Sequence, residues 1–500
     1  MINTTIKING EQSIFTNVDL MVIKSYYNRH HSFSATLGVP EHYPVEQKDI
    51  EDALGGKIEI VFSKNNFPNE QGIFIGTIDE IIPTWYDDGR IMFIINGYSP
   101  THFLDGGPEF RCFKDQSLES VIQKLLNPYK QFFNSVTLGA RSSQKLDWNM
   151  QQNETTYQFI CRLADQFEQE FYYDGEGLFF QDLASGTSEM ISLVQGNNLE
   201  KVRLSMNLAP LKFTVQGYDF VNGKKQESKS EKLSAENPVL DMVIKKCQKY
   251  PEQKILLPYA VEGTSQLQRA TRRFASRQAH ELLKVSGKSF EPRLKIGSRI
   301  TVEFKKRFLK EGLEGHELVV TEVTHVFKDD NSYYNEFVAV PTEHPYNLRM
   351  TRGRGPVSGP KAAIIADVDD PKKMGRVRVQ YIGDLERAIS PWLRVLTAST
   401  TDGGFFCLPQ VDEQVLVLSE DFNLENNAIV LGSFFQKYMT AGFWPDPSTI
   451  GIKRGKTGNL MDGQTHKTWG KTAELLAENQ AVIESEGTYI NCNKGKIPAT

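Results

Sequence analysis

The chain has 500 residues, of which 39% are hydrophobic and 24% charged, with a formal net charge of −5. That length predicts roughly three to four domains of ordinary soluble composition, and the mildly negative balance supplies no global basic field for nucleic acid. No apolar run approaches the roughly 18 residues of a membrane-spanning helix, and the opening MINTTIKINGEQSIF has no apolar core of a cleaved secretory signal.

Residues 1–100 read as strands. Ile58, Ile60 and Phe62 alternate with polar partners over Lys57–Lys64, the pattern of a half-buried strand. GIFIGTIDEI follows at 72–81. RIMFIINGYSP at 90–100 is nearly continuously apolar, which predicts burial on both faces, and the turn Asp87-Asp88-Gly89 separates the two. This segment is expected to form a first barrel or sandwich. Over 101–190 the period changes. Ser117 caps a helix with Leu118, Val121, Ile122, Leu125 and Leu126 on one face, stopped by Pro128. A second helix is predicted from Thr155 to Glu170, with Asn153 as its N-cap and Tyr157, Ile160, Leu163, Ala164 and Phe167 as its stripe. It leads into a hairpin turning at Asp174-Gly175-Glu176-Gly177. Phe171, Tyr172, Phe179 and Phe180 around that hairpin are read as core packing rather than a sugar platform.

Residues 200–350 return to strands. HELVVTEVTHVF is expected to pair with YYNEFVAVP, and a long helix at Ser265–Lys284 interrupts the series. Its Arg269, Arg272, Arg273 and Arg277, mixed with polar residues near Glu262 and Glu281, are read as a solvated face rather than a polyanion site. Gly and Pro density without apolar periodicity marks a linker at 349–360. Residues 361–436 then alternate short strands with sharp turns at Asp370-Pro371, Gly375, Ser390-Pro391 and Gly403-Gly404, which describes a small antiparallel barrel.

Cys112, Cys161, Cys247, Cys407 and Cys492 are scattered and form no CxxC pair, so they read as reduced, buried thiols made in the cytoplasm. Among nine histidines only His30 and His31 adjoin. Neighbouring residues point to different sides of a regular element, so a surface pair is expected and not a metal site. Carboxylate pairs such as Glu168 and Glu170, or Asp369 and Asp370, read as helix surface and turn rather than as the acid and base of a glycosidase. No G-x-S-x-G, H-E-x-x-H or P-loop pattern occurs. Arg376, Arg378 and Arg394 alternate with Val377, Val379 and Val395 and read as outer-face charges or intersubunit ion pairs rather than a nucleic-acid strip.

Four blocks in the small barrel resemble the VgrG family and the phage baseplate spike of contractile injection machines: DPKKMGRVRV at 370–379, SPWLRV at 390–395, FCLPQVDEQVLV at 406–417 and IVLGSF at 429–434. Upstream, IGTIDEI at 75–81, ETTYQFICRLADQFEQEFYYD at 154–174, VVTEVTH at 319–325 and YNEFVAVP at 334–341 resemble the hub half of VgrG-like and late control D-like phage proteins. The resemblance implies a mainly β chain with α+β insertions. Its parts would be a first hub barrel (1–100), an α+β insertion (101–190), a second hub barrel with its helix (191–348), the linker (349–360), an oligonucleotide/oligosaccharide-type (OB-fold) collar (361–436) and a C-terminal intertwined trimeric β-helix needle with tip attachment (437–500). Asp370, Pro371, Gly375, Arg376, Pro391, Trp392, Pro409 and Gly432 would be structural motif residues of the collar. No catalytic, metal or cofactor site is expected in this chain. A muramidase-like domain and the valine-glycine repeats of the family name are not evident.

The tail has its own physical argument. About sixty polar, Gly-broken residues cannot bury an adequate core alone, and isolated strands leave unpaired edges. Three copies wound together remove those edges, and Thr488, Ile490 and Cys492 share one face by period two. About six or seven strands stacked at about 4.8 Å would give a needle of roughly 30 Å. By resemblance the partners are two further copies of this chain, a hexameric inner tube, a PAAR-type tip protein near Ile497, baseplate components and effector cargo, with no nucleic acid. The particle would assemble in a bacterial cytoplasm. A cell-wall glycosidase and an OB-type binding module for nucleic acid or sugar are the alternative functions.

Overall fold

Alternating apolar residues place most of this chain in β-sheet. A computed structural model describes all residues except 1, 41–42, 65–66, 88, 140–144, 182–188, 220–222, 261–263, 280–281, 305–315, 330–331, 343–358, 401–405, 420–423, 426–427, 439, 442–447, 462–463, 473–479, 486–487 and 494–500. For the strands at 480–485 and 488–493 it describes the backbone alone. The chain divides into two units, Met1–Ser433 and Phe434–Thr500.

In the first unit, strands from 1–98 and from 190–341 form one thirteen-stranded sheet. The sequence separates these into two barrels; the structure joins them edge to edge. The joining strand is Asn17–Tyr26, which pairs with Ser32–Gly38 on one edge and with Leu318–Lys328 on the other. Leu318–Lys328 also pairs with Tyr333–Pro341, the pairing expected from sequence. Two cores form. Ile58, Ile60, Phe62 and Phe93 belong to the first, and Val285, Ile300, Val320 and Phe337 to the second. They share residues across the halves: Phe327 and Tyr333 pack in the first core and Tyr27 in the second. Strand Ile91–Tyr98 departs from expectation. Only Phe93, Ile95 and Gly97 are buried, and the alternate residues are half-buried or exposed, so its apolar run reflects one covered face and not two. His31 also departs, because it is fully buried rather than on the surface, with Nε2 3.1 Å from the Tyr26 carbonyl oxygen. Two short helices, α1 (Gln47–Ala53) and α4 (Pro238–Cys247), flank the sheet strands in sequence.

The insertion carries the two expected helices. In α2 (Leu118–Leu126) the Ser117 side chain accepts from the Ser120 amide, and the five stripe residues are buried. Helix α3 spans Thr156–Gln166 and is capped by Thr155, not Asn153. Thr155 and Gln158 form a reciprocal capping box. Asn153 adopts φ 52° at an irregularity that ends the preceding strand. Glu168 also has φ 55° and lies past the helix, while Glu170 opens the next strand and is buried, so neither sits on a helix surface. That strand, Glu170–Tyr173, pairs with Gly177–Gln181, and Asp174 Oδ1 accepts from the Glu176 and Gly177 amides at 2.9 Å. Phe171, Tyr172 and Phe180 are buried, and Phe179 packs against the hub core.

A three-stranded sheet, Phe213–Asp219 between Lys224–Lys229 and Gln253–Ala260, stands apart from the large sheet. Helix α5 covers one of its faces, and Leu267 and Ala270 pack with Val215 and Leu257. Helix α5 runs over Thr264–Ala279 and does not reach Lys284, which belongs to strand Leu283–Ser289. That strand is held between Leu199–Met206 and Tyr333–Pro341, so its backbone bonds are committed to the sheet. Arg272 is exposed. The side chains of Arg269, Arg273 and Arg277, and residues Glu262 and Glu281, lie outside the described residues, as does nearly all of the expected linker.

The small barrel has five strands in the order Arg378–Tyr381, Lys361–Asp367, Gln414–Ser419, Ala428–Ser433, Arg394–Val395. Bridges Val377↔Leu393 and Gln380↔Ile389 bring the last member back to the first. It is not wholly antiparallel: Arg394–Val395 runs parallel to Ala428–Ser433. A ring of antiparallel neighbours needs an even number of strands, so a closed five-strand ring must contain a parallel pair. Ala363, Ile365, Val377, Val379, Val415, Val417 and Val430 fill the interior.

The second unit contains a three-stranded antiparallel sheet, Ile450–Arg454, Thr457–Met461 and His466–Trp469, and a hairpin, Gln480–Ser485 with Thr488–Asn493.

Candidate functional site at the joint of the insertion and the small barrel

The hairpin Glu109–Ser117/Lys145–Glu154 contributes side chains to two cores. Phe113 and Leu146 pack into the core built on α2 and α3. Cys112, next to Phe113, and its cross-strand partner Met150 are fully buried in the interior cluster of the small barrel, with Phe110 and Trp148 beside them. The barrel is therefore seated on the insertion through a shared apolar core, and not only tethered through the linker.

Polar groups lock the same contact. The Cys112 amide donates to Asp384 Oδ1 at 2.9 Å, the Leu385 amide to the Phe110 carbonyl at 3.3 Å, and the Leu424 amide to Gln152 Oε1 at 2.9 Å. Lys124 pairs with Glu386. At the centre lies Arg162 of α3. Its Nε donates to Glu154 Oε1 at 2.8 Å, Nη1 to both oxygens of Glu425 at 3.0 Å, and Nη2 to the Met150 carbonyl at 2.5 Å. Glu425 also accepts from the Met150 amide at 2.6 Å. The Arg162 side chain is 17% exposed and that of Glu425 8%. Burial opposes the Arg162 charge, but Glu425 and Glu154 outweigh it and hold the guanidinium more firmly protonated than usual. Burial raises the Glu154 carboxyl, with Arg162 pulling the other way. Two buried carboxylates thus share one cation, an arrangement that fixes geometry through directional bonds.

The motif residues of the barrel occupy a second cluster. Asp370 Oδ1 accepts from the Lys372 amide and from Arg376 Nη2, and Oδ2 from the Met374 amide and Arg376 Nε. Hydrogen bonding from Arg376, together with the turn amides, holds the Asp370 carboxyl well below the usual range. Pro371 is exposed on this turn and Gly375 takes φ 69° within it. Arg378 Nε donates to the Ser390 carbonyl at 3.0 Å, and its guanidinium lies 5.7 Å from the Trp392 ring. Pro391 is exposed, Pro409 buried, and Gly432 stands opposite Leu416 beside a bulge. In the tail, Thr488, Ile490 and Cys492 stand opposite Ser485, Ile483 and Ala481 in register; their side chains, and Ile497 entirely, lie outside the described residues. Asp384, Glu425, Arg162 and Glu154 escaped the sequence reading. The available signal was Arg162, a charge set among Phe159, Ile160, Cys161 and Leu163.

Among the described residues, no three or more His, Cys, Asp or Glu are grouped to hold a metal ion, and no helix is long and apolar enough to cross a membrane. Residues 99–331 match the family model of the phage tail baseplate hub (GPD), and 361–435 that of the type VI secretion system/phage-baseplate injector OB domain. The comparison with curated proteins gives no match. Similar solved structures include a chain of the half-lidded Francisella PdpA-VgrG complex (10% identity, TM-score 0.60, covering 99% of this chain and 88% of that one). An E. coli component of the type VI secretion system, described as structurally similar to T4 bacteriophage tail proteins gp27 and gp5, is 16% identical with TM-score 0.57, covering 86% and 99%. A tail protein from Neisseria meningitidis MC58 is 13% identical with TM-score 0.51, covering 68% and 97%. At these identities the likeness establishes the fold. The chain therefore carries a phage tail baseplate hub (GPD) domain followed by a type VI secretion system/phage-baseplate injector OB domain, and is homologous to the VgrG-like hub-and-spike proteins of phage-tail and type VI secretion systems.

Proposed function

We propose that three copies of this chain form the spike of a contractile injection machine. The two hub portions, 1–100 and 191–348, with the insertion 101–190, make a cup that adapts a hexameric inner tube to threefold symmetry. The barrel at 361–436 is the collar, and 437–500 wind with two other copies into a β-helical needle. A PAAR-type tip would seat on the needle near Ile497, and baseplate proteins and effector cargo would bind elsewhere. On this reading the spike is assembled in the bacterial cytoplasm and driven through a target envelope on firing.

The observation that carries this reading is the tail sheet. Ile450 is 72% exposed, and its same-face neighbours Ile452 and Met461 are 53% and 50% exposed. Among the described residues of the tail these side chains stay largely exposed, and two further copies would bury them and pair the open edges. The test is the solution mass of the full chain and of a chain ending at Gln436. A trimer that weakens on truncation is expected; a stable full-length monomer would overturn the proposal.

A further inference from the structure

Charge is divided unevenly along this chain. Residues 1–209 hold sixteen Lys and Arg against twenty-seven Asp and Glu, a net −11, whereas 210–279 hold thirteen against seven, a net +6. Within that stretch the strands Phe213–Asp219, Lys224–Lys229 and Gln253–Ala260 contribute a net +2 and α5 a net +4, while the remainder, which includes α4, is balanced. Helix α5 covers one face of that sheet. On the opposite face, register places Lys225 beside Tyr218, and Glu227 and Leu256 on either side of Gln216. Leu256 is 71% exposed and Tyr218 44% exposed, and Lys225, Lys229 and Lys254 are exposed around them. An apolar centre with a cationic rim is the composition of a protein-docking patch. The cations here are lysines interleaved with glutamate rather than arginines interleaved with aromatics, which favours a protein surface over a nucleic acid.

A threefold ring is built from heterologous contacts, in which two different surfaces of the same molecule meet. A basic module and an acidic N-terminal portion on one chain satisfy that requirement. We propose that this uncovered sheet face docks on the acidic 1–209 portion of a neighbouring copy; the inference rests on the threefold reading above.

Zero-length carbodiimide coupling joins a lysine amine directly to a carboxylate, and mixing 14N- and 15N-labelled full chains separates links between copies from links within one. The expected result is a trimer with links between copies from Lys225, Lys229 or Lys254 into 1–209, with a yield that falls as salt rises. The variant Lys225→Glu/Lys229→Glu/Lys254→Glu should weaken association by about tenfold or more at low salt, and the corresponding triple Gln variant by less. A trimer in which these lysines link only within their own copy, or only into 280–500, overturns the docking and leaves the threefold reading intact. A monomer overturns both.

Discussion

Glu425 of the small barrel accepts from Arg162 of α3 through both carboxylate oxygens, each 3.0 Å from Nη1. The pair joins two modules separated by more than 250 positions in sequence, |i−j| being 263, and it does so in a nearly dry seam. The barrel is therefore joined to the insertion through a packed and hydrogen-bonded interface. Replacing Arg162 with Met should cost about 3–5 kcal/mol, because Glu154 and Glu425 are left buried without their cation. Amide exchange locates the damage: the Cys112 and Met150 amides, which donate to Asp384 and Glu425, should exchange faster, while the Ser120 amide at the start of α2 should not change. Adding Glu154→Gln and Glu425→Gln to Arg162→Met should recover part of the loss, since the unpaired charge is then removed.

Asp370 gives the barrel a different pH response from the seam. Its carboxyl is held below the ordinary range by Arg376 and the turn amides. A group depressed on folding contributes stability above its unfolded pKa, about 3.9, and loses it as pH falls through the folded value. Asp370→Asn should therefore lower barrel stability at neutral pH by about 1–3 kcal/mol, and the gap from wild type should close in strong acid. Glu154 has the opposite sign: burial raises it, so acid favours the seated form with respect to that group. Glu154→Gln should reduce any gain in seam protection that wild type shows on mild acidification. Denaturant midpoints and amide exchange across a pH series separate the two.

Much of this architecture was legible because the signals were local. Ser117 before an apolar 3.6-residue stripe announced α2, and the Asp370 turn with its alternating valines announced the barrel. What escaped was long-range. No local pattern indicates that Asn17–Tyr26 will take Leu318–Lys328 as its second neighbour, or that Cys112 will sit in the core of a barrel beginning at Lys361. The seam residues escaped for the same reason, since Glu425 and Asp384 look like ordinary loop acids until Arg162 and the Cys112 amide are brought to them. Asn153 drew the cap assignment away from Thr155 because both types cap helices; the reciprocal bond with Gln158 decides between them.

The hub should weaken in mild acid. His31 and His325 are both fully buried within it, and burial pushes them down to about 4 and about 3. Each remains neutral in the folded state while its unfolded counterpart, with pKa about 6.5, takes up a proton. The unfolded chain therefore binds more protons below about pH 6.5, and stability falls with pH by up to about 1.4 kcal/mol per unit for each histidine, until the folded values are reached. Hub unfolding followed between pH 7 and pH 4 should show this slope, and a His325→Asn variant, which cannot titrate, should show a shallower one. An unchanged slope would remove His325 from the account.

The thiols provide a direct report on whether the barrel stays seated. Cys407 is exposed, whereas Cys112, Cys161 and Cys247 are buried. At Cys112, burial and the neighbouring Asp384 carboxylate push the thiol far above its ordinary range, so it is both shielded and protonated. A thiol reagent added to native protein, with modified sites mapped by mass spectrometry, should label Cys407 promptly and Cys112 only on unfolding. In Arg162→Met the order should change. Cys112 lies in the seam and should become reactive under conditions where Cys247, in the hub core, stays protected. Equal protection of Cys112 and Cys247 in that variant would mean that the apolar contacts of Phe110, Cys112, Trp148 and Met150 hold the barrel without the ion cluster, and that the cluster contributes orientation rather than closure.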